Sequence, residues 1–200
     1  LKTPEIRHPA EAQILAKVSP SVIDRAAKVR LMAFDVDGVL TDGTLWYSRN
    51  GEVVKGFHAL DGHGLRLLKE SGILVAMITG RQGPIVDRRA AELGIDITRQ
   101  GVRDKAGLLQ ELAQEYGLDM EQVGFMGDDL IDLGALQRAG LAASVPNAPA
   151  YVTQAAHWVS ERPGGQGAAR ECCDLILAAQ GRLAAFFDPQ SSMLMTGAIQ

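Results

Sequence analysis

Between residues 61 and 160 the chain alternates helical periods with short apolar runs, and no other feature restricts its possible folds as severely. Helices are predicted over 61–70, with Leu65, Leu67 and Leu68 inward and Gly72 behind, and over 84–93, closed by Gly94. Further helices are predicted over 104–116, with Leu108, Leu109 and Leu112 on one face, and over 130–139 and 149–156. Strands are predicted over 73–78, 95–98, 123–126 and 142–145, with an edge strand at 157–160. Runs that are apolar on both faces suit a parallel sheet covered by helices on either side. The expected fold is therefore α/β, a doubly wound, Rossmann-like parallel sheet of right-handed βαβ units.

The strand that should start this sheet lies earlier, in the stretch LMAFDVDGVLTDG at 31–43. Leu31, Met32, Ala33 and Phe34 form a buried run, and Asp35 and Asp37 follow where the strand must end. Ligands bind at the carboxyl ends of the strands in such sheets, so the two carboxylates stand where chemistry is expected. Gly38 allows a turn that aims them at one substrate from different sides. Asn50-Gly51, between β-prone runs, then predicts a β-hairpin over 44–57 whose apolar face carries Trp46, Tyr47, Val53 and Phe57. A projecting face of this kind needs a partner, for which another copy of the chain is one choice.

Residues 1–28 read as an accessory lead-in with one short helix starting at Ser19-Pro20, and 29–187 as the single main domain. Its last part is a flexible loop from Pro163 through Gly167, followed by a helix from Ala168 to about Phe187; 188–200 are expected to be a flexible tail. The net charge of −4 gives no electrostatic case for nucleic acid or an anionic membrane. No apolar run reaches membrane-spanning length, and no secretory signal is visible, so a cytoplasmic location is expected. Adjacent Cys172 and Cys173 lack bridging and metal spacing and read as buried thiols, and no pair among His8, His63 and His157 has metal spacing.

Four segments carry the reactive side chains. Asp35 and Asp37 follow the first strand, Thr79 the next, Asp128 and Asp129 the strand at 123–126, and Lys105 begins a helix. Carboxylates gathered at close quarters repel one another unless a cation joins them, and an all-oxygen set suits Mg²⁺. A hydroxyl and an ammonium beside that ion suit a phosphoryl group.

DVDGV, ITG, DK and GDD, in that order and on these elements, resemble the four motifs of the haloacid dehalogenase (HAD) superfamily of phosphatases, over residues 29–179. The resemblance implies that Asp35 is the nucleophile and forms an aspartyl phosphate. Asp37 would be general acid and then base, its backbone carbonyl also ligating the metal. Thr79 and Lys105 would hold phosphoryl oxygens, and Asp128 would join Asp35 and Asp37 as a metal ligand. Asp129 would orient bound water or Lys105. Asp132 stays open between a first-turn acid that favours its helix and a site role. Neither the segment between Gly38 and Thr79 nor that between Thr79 and Lys105 has room for a cap domain.

Within the superfamily, DVDGVLTDG, the hairpin, DGHG at 61–64, ITGR, GDDLID and GGQGAARECCD look like the capless phosphatases of an eight-carbon keto-sugar acid 8-phosphate, which serve lipopolysaccharide sugar synthesis. Members of that family are tetramers joined through their hairpins, with a C-terminal tail that reaches a neighbour's site. By this resemblance 164–167 form a hinge or substrate-approach loop, and truncation before Gly164 should lower activity more than stability. Thr79, Gly80, Arg81, Arg89, Lys105, His58 and Asp61 are the expected substrate contacts, with Arg81 and Arg89 the candidates for the sugar-acid carboxylate. Leu60 stands where relatives often have a basic residue. Two alternatives keep the fold: a phosphatase of a nine-carbon sialic-type acid 9-phosphate, and a non-catalytic oligomerisation module.

Overall fold

The computed structural model describes residues 8–95 and 97–187. Six parallel strands form one sheet in the order β5-β4-β1-β6-β7-β8. They are β1 (Leu31–Asp35), β4 (Leu74–Ile78), β5 (Ile97–Arg99), β6 (Val123–Met126), β7 (Leu141–Ser144) and β8 (Trp158–Val159). Central β1 pairs with β4 from Leu31↔Leu74 to Asp35↔Ile78, and with β6 from Leu31↔Val123 to Phe34↔Met126. Strand periodicity sends alternate residues to opposite faces, and two separate cores result. Met32, Phe34, Val75 and Met77 enter one; Leu31, Ala33, Ala76, Ile78, Val123 and Phe125 enter the other. Gly124 leaves room for the Met32 sulfur, which a Cβ there would strike.

The first core is roofed by α3 (Ala59–Glu70) and α4 (Pro84–Leu93), which connect β1, β4 and β5. The second is roofed by α5 (Lys105–Glu115) and α6 (Leu133–Arg138), with Val152 of α7 (Ala150–Thr153) added. Helices on both faces and strand order growing outward in both directions from β1 make the sheet doubly wound, as expected. Between β1 and β4 lie the turn at Val36–Leu40, the hairpin and α3, and between β4 and α5 lie α4 and β5, so no cap is inserted among the described residues.

The hairpin is a separate two-stranded sheet of β2 (Trp46–Ser48) and β3 (Gly51–Val54), turned at Gly51 with φ +108°. Trp46 and Tyr47 are each 58% exposed, and Leu45, Val53 and Val54 join them. Phe57 does not belong to this face. It lies beyond β3, packed against the first core and under the Arg89 guanidinium, 5.6 Å from its ring centroid.

The C-terminal part departs most from expectation. The helix that begins at Ala168 ends at Ala179, forming α8, because Gly181 adopts a left-handed φ of +65° before a 3-10 turn at Leu183–Phe187. The lead-in holds two helices, α1 (Pro9–Leu15) and α2 (Pro20–Lys28), and both pack on α8, with Leu15, Val22 and Ala26 in the same core. The tail expected at 188–200 lies outside the described residues. The loop before α8, expected to be a hinge or substrate-approach loop, is packed against the β1 turn. The Gly165 N–H donates to the Val39 carbonyl at 2.9 Å, and a Cβ at Gly164 would strike the Gly38 carbonyl, so these glycines permit close backbone packing. Ala168, Ala169, Cys172, Cys173, Leu175, Ile176, Leu177, Ala178 and Ala179 are buried. Leu175, Ile176 and Leu177 alone bury about 1.5–3 kcal/mol of transfer free energy each, on the scale of a domain's whole stability of about 5–15 kcal/mol. A chain ending at Pro163 should therefore lose cooperative unfolding altogether, which circular dichroism on heating would show; a folded, merely inactive product would contradict the packing of α8. The burial of α8 thus favours a loss of stability over the loss of activity expected above.

Candidate active site

The site forms where β1, β4 and β6 end. After Asp35 the chain makes a wide turn in which the Thr41 N–H donates to the Val36 carbonyl at 3.0 Å. Gly38 takes φ +96° there, and a Cβ on it would collide with the Asp128 carboxylate, so the absent side chain is what lets the β1 and β6 loops meet.

Asp35, 4% exposed, accepts the Val36 N–H on Oδ1 at 2.6 Å and the Lys105 ammonium on Oδ2 at 2.8 Å. Lys105 projects from the first turn of α5 and also bonds Asp132 Oδ1 at 2.6 Å. Asp132 is fully buried; its Oδ2 accepts the backbone N–H groups of Asp128 and Asp129 at 3.0 and 3.2 Å. The loop can wrap Asp132 this tightly because Gly127 has no side chain to strike its Cβ. The geometry realises both readings left open for Asp132: its Oδ2 closes a capping box at the start of its own turn, and its Oδ1 holds the lysine of the site. Asp129 caps its own turn through the Leu130 N–H at 2.7 Å.

The electrostatics leave a deficit of positive charge. Burial, followed by the nearby Asp132 charge, pushes Asp35 up to about 8 despite Lys105. Burial and Asp132 push Asp128 up to about 7. Burial works against the Lys105 cation too, but Asp35 and Asp132 outweigh it and hold its pKa above the ordinary lysine value. Asp35, Asp128 and Asp132 each bring a carboxylate oxygen within 4.8 Å of the others, against one ammonium. Asp128 Oδ1 is buried without a hydrogen-bond partner. An oxygen-only cluster short of positive charge, with one orphaned carboxylate oxygen, fits a hard divalent cation. Asp35 and Asp132 already have both oxygens engaged, so the orphaned Asp128 Oδ1 is the oxygen open to such an ion, which Asp35 would join through a second lone pair.

Asp37 points elsewhere. Its Oδ2 meets the Thr79 hydroxyl, which donates at 3.3 Å, and its Oδ1 accepts the ammonium of Lys55 from the hairpin. Thr79 is 1% exposed, and its hydroxyl accepts the Arg81 N–H at 3.1 Å, which shapes the exposed Gly80 turn. The expected sugar contacts divide into two groups. Arg81 lies against the hairpin, bonded to the Tyr47 hydroxyl and 3.9 Å from Glu52. His58, Asp61 and Arg89 line a separate small hollow with Phe57 and Leu40. Within it, His58 Nδ1 caps α3 through the Leu60 N–H at 3.2 Å. Asp61 is buried, and its two oxygens accept the Gly167 and Arg170 N–H groups at 3.2 and 2.8 Å. Its carboxylate thus anchors the start of α8, and burial raises its pKa against those hydrogen bonds. Cys172 and Cys173 are buried free thiols, as expected.

Sequence reasoning missed Lys55 and Glu52. They sit three residues apart, Glu52 within β3 and Lys55 just after it, and nothing in their spacing tells that the hairpin folds back over the Asp37 turn.

A buried nucleophile-type carboxylate clasped by lysine, beside an orphaned carboxylate at the strand ends of a doubly wound sheet, defines a hydrolase of the haloacid dehalogenase type. Residues 88–171 match the family model of haloacid dehalogenase-like hydrolases. The chain belongs, within that class, to the 3-deoxy-D-manno-octulosonate 8-phosphate phosphatase family. It is 44% identical over 166 residues to the phosphatase KdsC of Yersinia pestis, covering 83% of this chain and 89% of that one. The crystal structure of the Moraxella catarrhalis phosphatase, in complex with magnesium ion, phosphate ion and KDO, superposes with a TM-score of 0.80 at 43% identity, covering 82% of this chain and 95% of that one. The cobalt-bound Haemophilus influenzae phosphatase gives a TM-score of 0.81 at 40% identity, covering 84% and 99%.

Proposed function

We propose that this protein is a Mg²⁺-dependent phosphatase that hydrolyses 3-deoxy-D-manno-octulosonate 8-phosphate to the free sugar acid and phosphate, in lipopolysaccharide precursor synthesis. The observation that carries the reading is the Asp35–Lys105–Asp132 clasp beside Asp128, in a chain more than two-fifths identical to enzymes of that name. In this reading Asp35 Oδ attacks phosphorus while the P–O bond to the sugar breaks, and Asp37 gives its proton to the departing alkoxide. Asp37 then takes a proton from water as that water attacks phosphorus, and the bond from Asp35 to phosphorus breaks, releasing phosphate. Lys105 screens Asp35 from Asp132 and, with the Thr79 hydroxyl, faces the phosphoryl oxygens. Asp35, Asp128 and the Asp37 backbone carbonyl hold Mg²⁺, which when bound supplies positive charge against the phosphoryl oxygens. Arg81 and Arg89 remain the candidates for the sugar-acid carboxylate, with Gly80, His58 and Asp61 around them.

The exposed apolar hairpin supports self-association, and the reading is a cytoplasmic homotetramer joined through that hairpin, without nucleic acid or membrane. A tail reaching a neighbour's site would have to begin after Phe187, because α8 is committed to its own core.

Phosphate release with Mg²⁺ tests the function. A preference of about 100-fold or more for the eight-carbon 8-phosphate over a nine-carbon sialic-type 9-phosphate and a hexose phosphate is expected. A preference for the nine-carbon ester would overturn the substrate. No release from any of the three by an assembled protein would leave only an oligomerisation module.

The raised carboxyls supply a second test. Asp35 and Asp128 have folded pKa values near 8 and 7 against an ordinary 3.8, so they stabilise the metal-free fold at low pH and lose that contribution as pH rises through 7 to 8. Mg²⁺ binds the ionised forms, so its stabilisation should be larger at about pH 8 than at about pH 6. Thermal unfolding with and without Mg²⁺ measures this; an equal increment at both pH values would argue against a metal held by these carboxylates.

A further inference from the structure

The two buried lysines of the site divide its carboxylates between them. Lys105 lies between Asp35 and Asp132, at 2.8 and 2.6 Å. Lys55 lies between Asp37 and Glu52: its ammonium bonds Asp37 Oδ1 and reaches Glu52 Oε1 at 2.9 Å, with only 3% of its side chain exposed. Glu52 is itself 13% exposed and has Arg81 on its other side at 3.9 Å, and Arg81 is bonded to the Tyr47 hydroxyl. Tyr47, Glu52 and Lys55 all belong to the hairpin or its last strand end, and Tyr47 is paired with Glu52 across the two strands. The hairpin therefore presents a polar arm to the site while its apolar residues stay exposed.

A carboxylate on a turn is free to rotate unless both oxygens are held. Asp37 is held weakly on Oδ2 by Thr79 at 3.3 Å and firmly on Oδ1 by Lys55. We propose that Lys55 is the positioning residue for Asp37, clamping Oδ1 so that Oδ2 stays on the Thr79 side, where it exchanges the proton with the leaving oxygen and with water. Glu52 completes the clamp by holding the ammonium from behind. The inference rests on the reading of Asp37 as acid and base given above, and it deepens that reading by making the hairpin part of the proton-transfer apparatus.

Leaving-group dependence separates positioning from general damage. A sugar alkoxide needs a proton to depart, whereas 4-nitrophenolate leaves without one. Lys55→Met, Lys55→Arg, Glu52→Gln and Asp37→Asn would be compared in the full chain with Mg²⁺, on the eight-carbon 8-phosphate and on the first-turnover burst from 4-nitrophenyl phosphate. The expected result is that Lys55→Met loses about tenfold or more beyond its loss on the aryl ester when acting on the sugar ester. Lys55→Arg should recover most of that difference, and Glu52→Gln should show a smaller loss of the same selectivity. An equal loss on both esters, or none on either, overturns the role of Lys55. Should Lys55→Met not fold, Glu52→Gln decides by the same comparison. If Asp37→Asn is selective and the hairpin variants are not, only this inference fails. If Asp37→Asn loses equally on both esters, or the wild type does not turn over the 8-phosphate, the underlying reading fails and the inference with it.

Discussion

Replacing Asp35 by Asn should abolish phosphate release, by about four orders of magnitude or more, and leave a folded, more stable protein. The amide occupies the same volume at the end of β1 and can still accept the Val36 N–H that Asp35 Oδ1 accepts at 2.6 Å. It lacks the nucleophilic oxygen, and an amide does not form the acyl phosphate. Stability should move the other way because the native carboxylate is held at a cost: burial and the Asp132 charge raise its pKa to about 8. Lys105 keeps Asp132 as a partner at 2.6 Å in the variant. Near pH 8, metal-free Asp35→Asn should therefore melt above the metal-free wild type. Retained turnover in a sample shown by mass to be free of deamidation would remove Asp35 as nucleophile. A lower melting temperature would contradict the electrostatic account.

Lys105→Met should damage fold and activity together. The ammonium is almost fully enclosed and is the cation for Asp35 and Asp132, of which Asp132 has no exposed surface. Removing one partner from a buried ion cluster leaves uncompensated charge and costs about 3–5 kcal/mol. Methionine replaces most of the stem, so little of the loss comes from packing. Chemical denaturation should show the destabilisation, larger at about pH 8 than at about pH 5, where Asp35 takes up a proton. A double variant, Lys105→Met with Asp35→Asn, should recover part of the stability and none of the activity. If the single variant is as stable as the wild type, the clasp is not the electrostatic centre described here.

The sheet was legible because its strands are apolar on both faces and end in groups that cannot be buried unaided. Asp35, Thr79 and Asp128 announce strand ends in that way, and Gly38 marks the turn between the two loops. Strand 95–98 slipped to Ile97–Arg99 and the helix at 130–139 broke into a 3-10 turn and α6, shifts of the size that local fraying produces. Asp132 was only half legible, because a first-turn acid after a strand has an adequate local explanation. Its role appears only when α5 swings Lys105 beneath it, a contact across 27 residues. Lys55 left no trace at all in the pattern, since an exposed hairpin end is an ordinary place for a lysine. The C-terminal helix is legible from Ala168 onward, and only its end at Ala179 rather than near Phe187 is not, since that end depends on the left-handed backbone of Gly181.

The seating of residues 164–170 against the front of the molecule bears on the order in which the protein matures. Asp61 receives its two backbone donors from positions 106 and 109 residues further along, and the turn behind Asp35 is packed by the Gly164–Gly165 backbone. A nascent chain holding Asp35, Asp37, Thr79, Lys105 and Asp128 still lacks the segment that packs behind the Asp35 turn. Such distant contacts slow folding, because loop closure precedes the contacts that reward it. The site therefore closes only once residues 164–170 are available, and chains that stop before them carry the reactive side chains without the backbone that packs behind them.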